Sequence, residues 1–130
     1  MSPRTQDDAK GWVEEAKGFY ASSGKRIALA EFSNPKGMFV KDELYIFVLN
    51  QKGTMLAHGV NQKFVGELFI DIKDSDGKLF IKEIVDTANA KGSGWVEYKW
   101  YHPITKQVLP KSVYFAKLAD LIICCGVYKE

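Results

Sequence analysis

The spacing of the apolar residues changes at Leu44, and that change constrains the fold more than any other feature. Before it, apolar side chains recur at helical spacing; after it, strand-like runs appear. Trp12, Ala16, Phe19 and Tyr20, with Val13 beside them, predict an amphipathic helix over 5–23. Asp7 and Asp8 favour its start, and Ser22-Ser23-Gly24 ends it. A second, short helix is expected over 25–33, and Asn34-Pro35-Lys36-Gly37 reads as a turn. Residues 44–49, Leu-Tyr-Ile-Phe-Val-Leu, form an unbroken apolar strand, the pattern of a strand covered on both faces. Asn50-Gln51-Lys52-Gly53 is a hairpin turn and 54–58 the returning strand. Residues 60–77 are rich in turn formers and read as irregular. A helix is expected over 78–90, with Phe80, Ile81, Ile84, Val85 and Ala88 on one side and Lys91-Gly92-Ser93-Gly94 as its stop. Three antiparallel strands follow at 95–101, 112–118 and 121–128, joined by turns at His102-Pro103 and Ala119-Asp120. The expected class is α+β: a five-stranded antiparallel sheet with helices on both sides and a long N-terminal helix.

A chain of 130 residues suits one domain, 1–130, with the helix at 5–23 and a core at 38–129. The longest apolar run, 121–128, is eight residues; a membrane span needs about 20, so no span is expected. Eighteen basic residues stand against 16 acidic ones, for a net charge of +2. Both signs are interspersed, so the basic stripe that a phosphate backbone requires is missing and nucleic acid is not an expected partner. The two cysteines, Cys124 and Cys125, are adjacent. Neighbours in a strand point to opposite faces, which makes them a poor disulfide and no zinc site. The start, Met-Ser-Pro-Arg-Thr-Gln-Asp-Asp, has no apolar signal core. The expected location is cytoplasmic, or extracytoplasmic if a signal peptide has been removed.

Several blocks occur in an informative order. They are Gly94-Trp95-Val96-Glu97-Tyr98-Lys99-Trp100 with His102-Pro103, then Pro110-Lys111-Ser112-Val113-Tyr114, then Cys125-Gly126-Val127-Tyr128. Upstream stand the hairpin 45–59, with Leu56-Ala57-His58-Gly59, and Asp74-Ser75-Asp76-Gly77 before the middle helix. Together they resemble the single Cache domain of the second type over roughly residues 10–129. The resemblance implies a PAS-like fold and a sensor domain, usually extracytoplasmic, that binds a short carboxylate such as acetate, propionate, lactate or pyruvate. Such domains are often fused to a chemoreceptor or kinase. This chain stops two residues after Tyr128 and so looks like a stand-alone version or a piece of a larger protein. A signalling partner would then read the ligand state.

A pocket for a small anion needs a cation, a few donors and an apolar wall. Lys111 is expected to pair with the carboxylate. Tyr98, His58 and Tyr45 are expected to donate hydrogen bonds, with Tyr114 as a further donor. Trp95, Trp100 and Phe69 are expected to form the wall, against the irregular segment 60–77, whose ordering on binding would be the signal. The plain reading keeps the aromatics as core and Lys111 as a solvated strand end; the resemblance favours Tyr98, Trp100 and Lys111 as pocket residues. His58 is either a ligand donor or a rim histidine, and His102 reads as exposed loop.

Residues 71–83 approach a calcium loop, but Ile72 would fill its first ligand position. A turn feeding a helix, with Asp76 as cap, explains the same residues. No catalytic constellation is apparent: the cysteines lie in the most apolar run, only two histidines exist, and no phosphate loop occurs. No metal or cofactor is expected. Two alternatives stay open: a dimeric interaction module pairing through Trp12, Phe19 and Tyr20, and a sensor holding non-covalent haem through His58.

Overall fold

The computed structural model describes residues 4–129; residues 1–3 and 130, the ends of the expected 1–130 domain and of its signal-free start, lie outside the described residues. Helix α1 (Gln6–Ser23) begins at Thr5, whose hydroxyl accepts from the Asp8 N–H at 3.2 Å while the Asp8 carboxylate accepts from the Thr5 N–H at 2.8 Å. This reciprocal cap is worth about 1 kcal/mol. Gly24 ends α1 and opens α2 (Lys25–Phe32).

The strands are β1 (Val40–Lys41), β2 (Leu44–Asn50), β3 (Met55–His58), β4 (Ser93–Tyr101), β5 (Val108–Leu118) and β6 (Leu121–Tyr128). Helix α3 (Phe80–Lys91) lies between β3 and β4 in sequence, after a 3-10 turn at Gln62–Phe64. The order is β1-β2-β6-β5-β4, with β3 also paired to β2, and every pairing is antiparallel. The expected five strands are all present, and the two-residue β1 adds a sixth, paired with β2.

Each strand face meets a different cover. Leu44, Ile46 and Val48 of β2 and Ile123, Cys125 and Val127 of β6 pack with Ala9, Val13 and Ala16 of α1 and with Phe32 of α2. Tyr45, Phe47 and Leu49 and Ile122 and Cys124 face the other way, toward Phe80, Ile81, Ile84 and Val85 of α3. This is why β2 and β6 read as unbroken apolar runs: both of their faces are buried.

Trp12 and Phe19 pack on Phe39 with centroids 6.1 and 5.5 Å apart, and Tyr20 lies against the same core, all three half-buried. One expectation is corrected here. Asp76 does not cap α3. The turn is closed by Asp74 and Gly77 (φ 82), so the helix starts later, after Leu79, while Asp76 pairs with Lys99 at 3.3 Å.

Candidate functional site

The α3 face of the sheet carries the candidate site. Alternation decides who is on it. Tyr45 and Phe47 on β2, Tyr98 and Trp100 on β4, and Val113 and Phe115 on β5 belong to this face. Lys111 shares their parity on β5 and is paired with both Tyr98 and Tyr128. Two cavities open there. The inner one is about 10 Å³ and is lined by Tyr45, Phe47, Met55, His58, Phe69, Phe80, Ile81, Tyr98 and Trp100. The outer one is about 270 Å³ and shares Tyr45, His58 and Trp100 with the inner. Val60, Asn61, Phe64, Tyr101, His102, Pro103 and Lys106 complete its lining.

Lys111 is 1% exposed. Its Nζ donates to the Tyr45 hydroxyl at 2.7 Å and lies 4.4, 5.1, 5.3 and 5.9 Å from the ring centroids of Tyr45, Tyr128, Phe47 and Tyr98. It pairs with no carboxylate among the described residues. Neither cavity is lined by it. Tyr45, which accepts from the ammonium of Lys111, the lysine expected to pair with a carboxylate, lines both cavities. The ammonium occupies one lone pair of the Tyr45 hydroxyl, whose own O–H is left to donate.

His58, at the end of β3, accepts hydrogen bonds at Nδ1 from the Val60 and Asn61 N–H groups at 3.2 and 2.9 Å. That fixes the tautomer with the proton on Nε2. Burial, helped by the nearby Lys111 charge, pushes its pKa down from 6.5 to about 3. His58 is thus a neutral donor lining both cavities. Its ring lies 4.9 Å from that of Tyr45. Burial also raises the Tyr98 phenol, so it stays protonated against Phe80, 4.1 Å away between centroids.

The structure brings Tyr45, His58, Phe69, Tyr98 and Trp100 together at the cavities and sets Lys111 behind them. It does not bring Trp95 and Tyr114. These two pack on each other at 5.2 Å on the opposite face, and Trp95 is 40% exposed. Each is one residue out of phase with the cavity-facing positions of its strand. His102 is a further correction. It is 7% exposed, packs at 4.9 Å against Tyr128 and lines the outer cavity. The 102–107 turn folds its backbone over the ring: the Ile104 and Thr105 N–H groups donate to Nδ1 at 3.1 and 3.3 Å.

Several lining residues escaped sequence reasoning. Phe47 carried a signal, being two residues from Tyr45 in one strand. Phe64 and Asn61 carried none, since the irregular segment has no period. No helix among the described residues is long and apolar enough to cross a membrane.

Comparisons with known proteins agree with this fold. The profile of the family described as single Cache domain 2 matches residues 9–130. A sensor histidine kinase, MctS of Rhizobium johnstonii, is 33% identical over 88 residues, which are 66% of this chain and 19% of that kinase. A methyl-accepting chemotaxis protein of Vibrio parahaemolyticus superposes with a TM-score of 0.83 at 21% identity, over 95% of this chain and 87% of that one. A Cache chemosensory domain solved in a study of carboxylic acid recognition superposes with a TM-score of 0.73 at 26% identity, over 95% and 88% of the two chains. With the profile running from α1 to beyond β6, the chain belongs to the single Cache domain 2 family of sensor domains.

Proposed function

We propose that this domain senses a small organic acid whose carboxylate binds at Tyr45 and His58. The observation that carries this reading is the convergence of two neutral donors in front of a buried, unpaired ammonium. No Asp or Glu lines either cavity, so an amine or an amino-acid ammonium would find no partner there. A carboxylate on the Tyr45 hydroxyl would sit about 5 Å from Lys111, where opposite unit charges gain on the order of 3 kcal/mol at an effective dielectric of about 20. Neutral hydrogen bonds contribute about 1 kcal/mol each, so charge selects the acid over its amide. The likeness to a domain studied for carboxylic acid recognition supports the same class.

By the same likenesses, the domain works outside the cytoplasm and passes its state to a receptor or kinase output.

Calorimetric titration with acetate, propionate, pyruvate and lactate, and with the matching amides, tests this reading. The acids are expected to bind and the amides not. Lys111→Met should weaken acid binding by about tenfold or more. Equal binding of acids and amides, or none of either, would sink it.

A further inference from the structure

The register of the sheet gathers several features at one end of the molecule. Strand β2 starts where β6 finishes, since Ile46 is paired with Cys125, and β6 finishes where β5 starts, since Tyr128 is paired with Lys111. Strand β4 finishes there too, Tyr101 being paired with Val108. The tip of the β4–β5 hairpin, 101–108, therefore lies at this end. Its Tyr101, Ile104 and Val108 are 59, 62 and 44% exposed.

Charge at the same end is one-sided. Lys106 lies in the turn, Lys41 is paired with the first residue of β2, and Lys63 follows β3. All three are exposed and take part in none of the ion pairs among the described residues. The carboxylates nearby are engaged. Asp42 holds Arg4 at 2.5 Å, Glu43 accepts from the Tyr128 N–H at 2.7 Å, and Glu97 pairs with Lys129. Asp74, beside Tyr101 and Val108, accepts from three N–H groups. Unpaired ammonium groups around exposed apolar side chains complement a surface that is anionic outside and apolar beneath.

The backbone of the turn favours a lipid over a peptide. Every N–H from His102 to Gln107 is bonded inside the hairpin. That of His102 donates to the Gln107 carbonyl, those of Ile104 and Thr105 to the His102 ring, that of Lys106 to the His102 carbonyl, and that of Gln107 to the Thr105 hydroxyl. Pro103 has no N–H. Strand addition needs free backbone donors, and this turn offers none. A segment entering the boundary between headgroups and acyl chains must satisfy its own donors, and this turn does so.

We propose that the β4–β5 hairpin tip docks on an anionic lipid surface. Ile104, Tyr101 and Val108 enter the headgroup–acyl boundary, Lys106 meets the headgroup phosphates, and Lys41 and Lys63 add to the attraction. This surface is separate from the acid-binding reading and does not depend on it.

The test is flotation of the intact chain, with no added acid, on vesicles of phosphatidylcholine alone or with phosphatidylglycerol as a third of the lipid. Binding to the anionic vesicles is expected to be about tenfold tighter than to the neutral ones, and to weaken with salt. Ile104→Asp should lower it about tenfold or more. Leu68→Asp should not, because Leu68 is as exposed but lies by the β2–β3 turn at the opposite end. Ile104→Cys can be labelled selectively, since Cys124 and Cys125 are buried. A polarity-sensitive dye there should shift to the blue on anionic vesicles, and the same dye on Leu68→Cys should not. Binding to neither vesicle, equal binding to both, a loss shared by Leu68→Asp, or wild-type binding by Ile104→Asp would overturn the proposal. Self-association that Ile104→Asp abolishes, in a chain that binds no vesicle, would overturn it too and assign the tip to a second copy.

Discussion

Lys111 occupies a position that a protein fills with a charge only at considerable cost. Removing an ammonium from water costs several kcal/mol even after relaxation. Here the compensation is one hydroxyl and a ring of aromatic faces, with cation–π contacts of about 1–2 kcal/mol each at best. Space for the side chain comes from Gly126 on the neighbouring strand. A Cβ there would stand 2.7 Å from Lys111 Cε and 2.7 Å from Val113 Cγ2. Gly126→Ala is therefore expected to lower stability by about 1–3 kcal/mol in a denaturant titration. It should also weaken acid binding, because the ammonium would be moved off Tyr45. A variant with wild-type stability and affinity would show that Lys111 has slack. Lys111 stood out in the sequence because Tyr98 and Lys111 occur in a recognisable pattern. Its placement behind Tyr45 was not, since that depends on the contact of β5 with β6 and of β6 with β2.

At the scale of elements, β4 poses a problem: nine residues at the edge of a sheet are an open template for another strand. The turn before α3 closes that edge. Asp74 accepts at Oδ1 from the Asp76 and Lys78 N–H groups and at Oδ2 from the Lys99 N–H, each at 2.9 Å. Burial alone would raise the Asp74 carboxyl; the three N–H donors outweigh it and leave it below the ordinary value of 3.8. The same clasp fixes the start of α3, whose Phe80 packs on Trp100 in the cavity wall at 5.2 Å. Asp74→Ala is expected to cost about 1–3 kcal/mol and to speed hydrogen exchange at the Lys99 amide selectively. Unchanged exchange at Lys99 would mean the edge is held by other contacts. The sequence pointed to this turn but assigned the work to Asp76, because N-cap statistics cannot see that β4 supplies a third donor to Asp74.

For the whole molecule, the two buried faces make acid sensitivity a global property. His58 is neutral when folded, with a pKa near 3 against 6.5 when free. Below 6.5 the unfolded chain binds a proton that the folded chain refuses, so this contribution is complete above 6.5 and is lost as pH falls toward 3. The slope from this one group approaches about 1.4 kcal/mol per pH unit. Asp74 adds a further loss below 3.8, in the same direction. Melting temperature should therefore drop between pH 6.5 and 4 in wild type, and more shallowly in His58→Phe. A profile as steep in the variant as in wild type would refute the assignment to His58.

The order of helices and strands, the strand covered on both faces and the Cache resemblance were all determined by the sequence alone, because periodicity and turn chemistry act between near neighbours. The strand parity that separates Trp95 from Tyr98 was also written there. Which side chains meet was decided only by the tertiary structure. His102 reads as exposed loop until the 102–107 turn folds its own N–H groups onto the ring and Tyr128 arrives from β6. Lys111 reads as a solvated strand end or a ligand contact, and the fold buries it with one N–H donated to Tyr45, 66 positions away. Contacts between distant strands depend on register and on which residues lack a Cβ, and no local pattern of residues encodes the resulting distances.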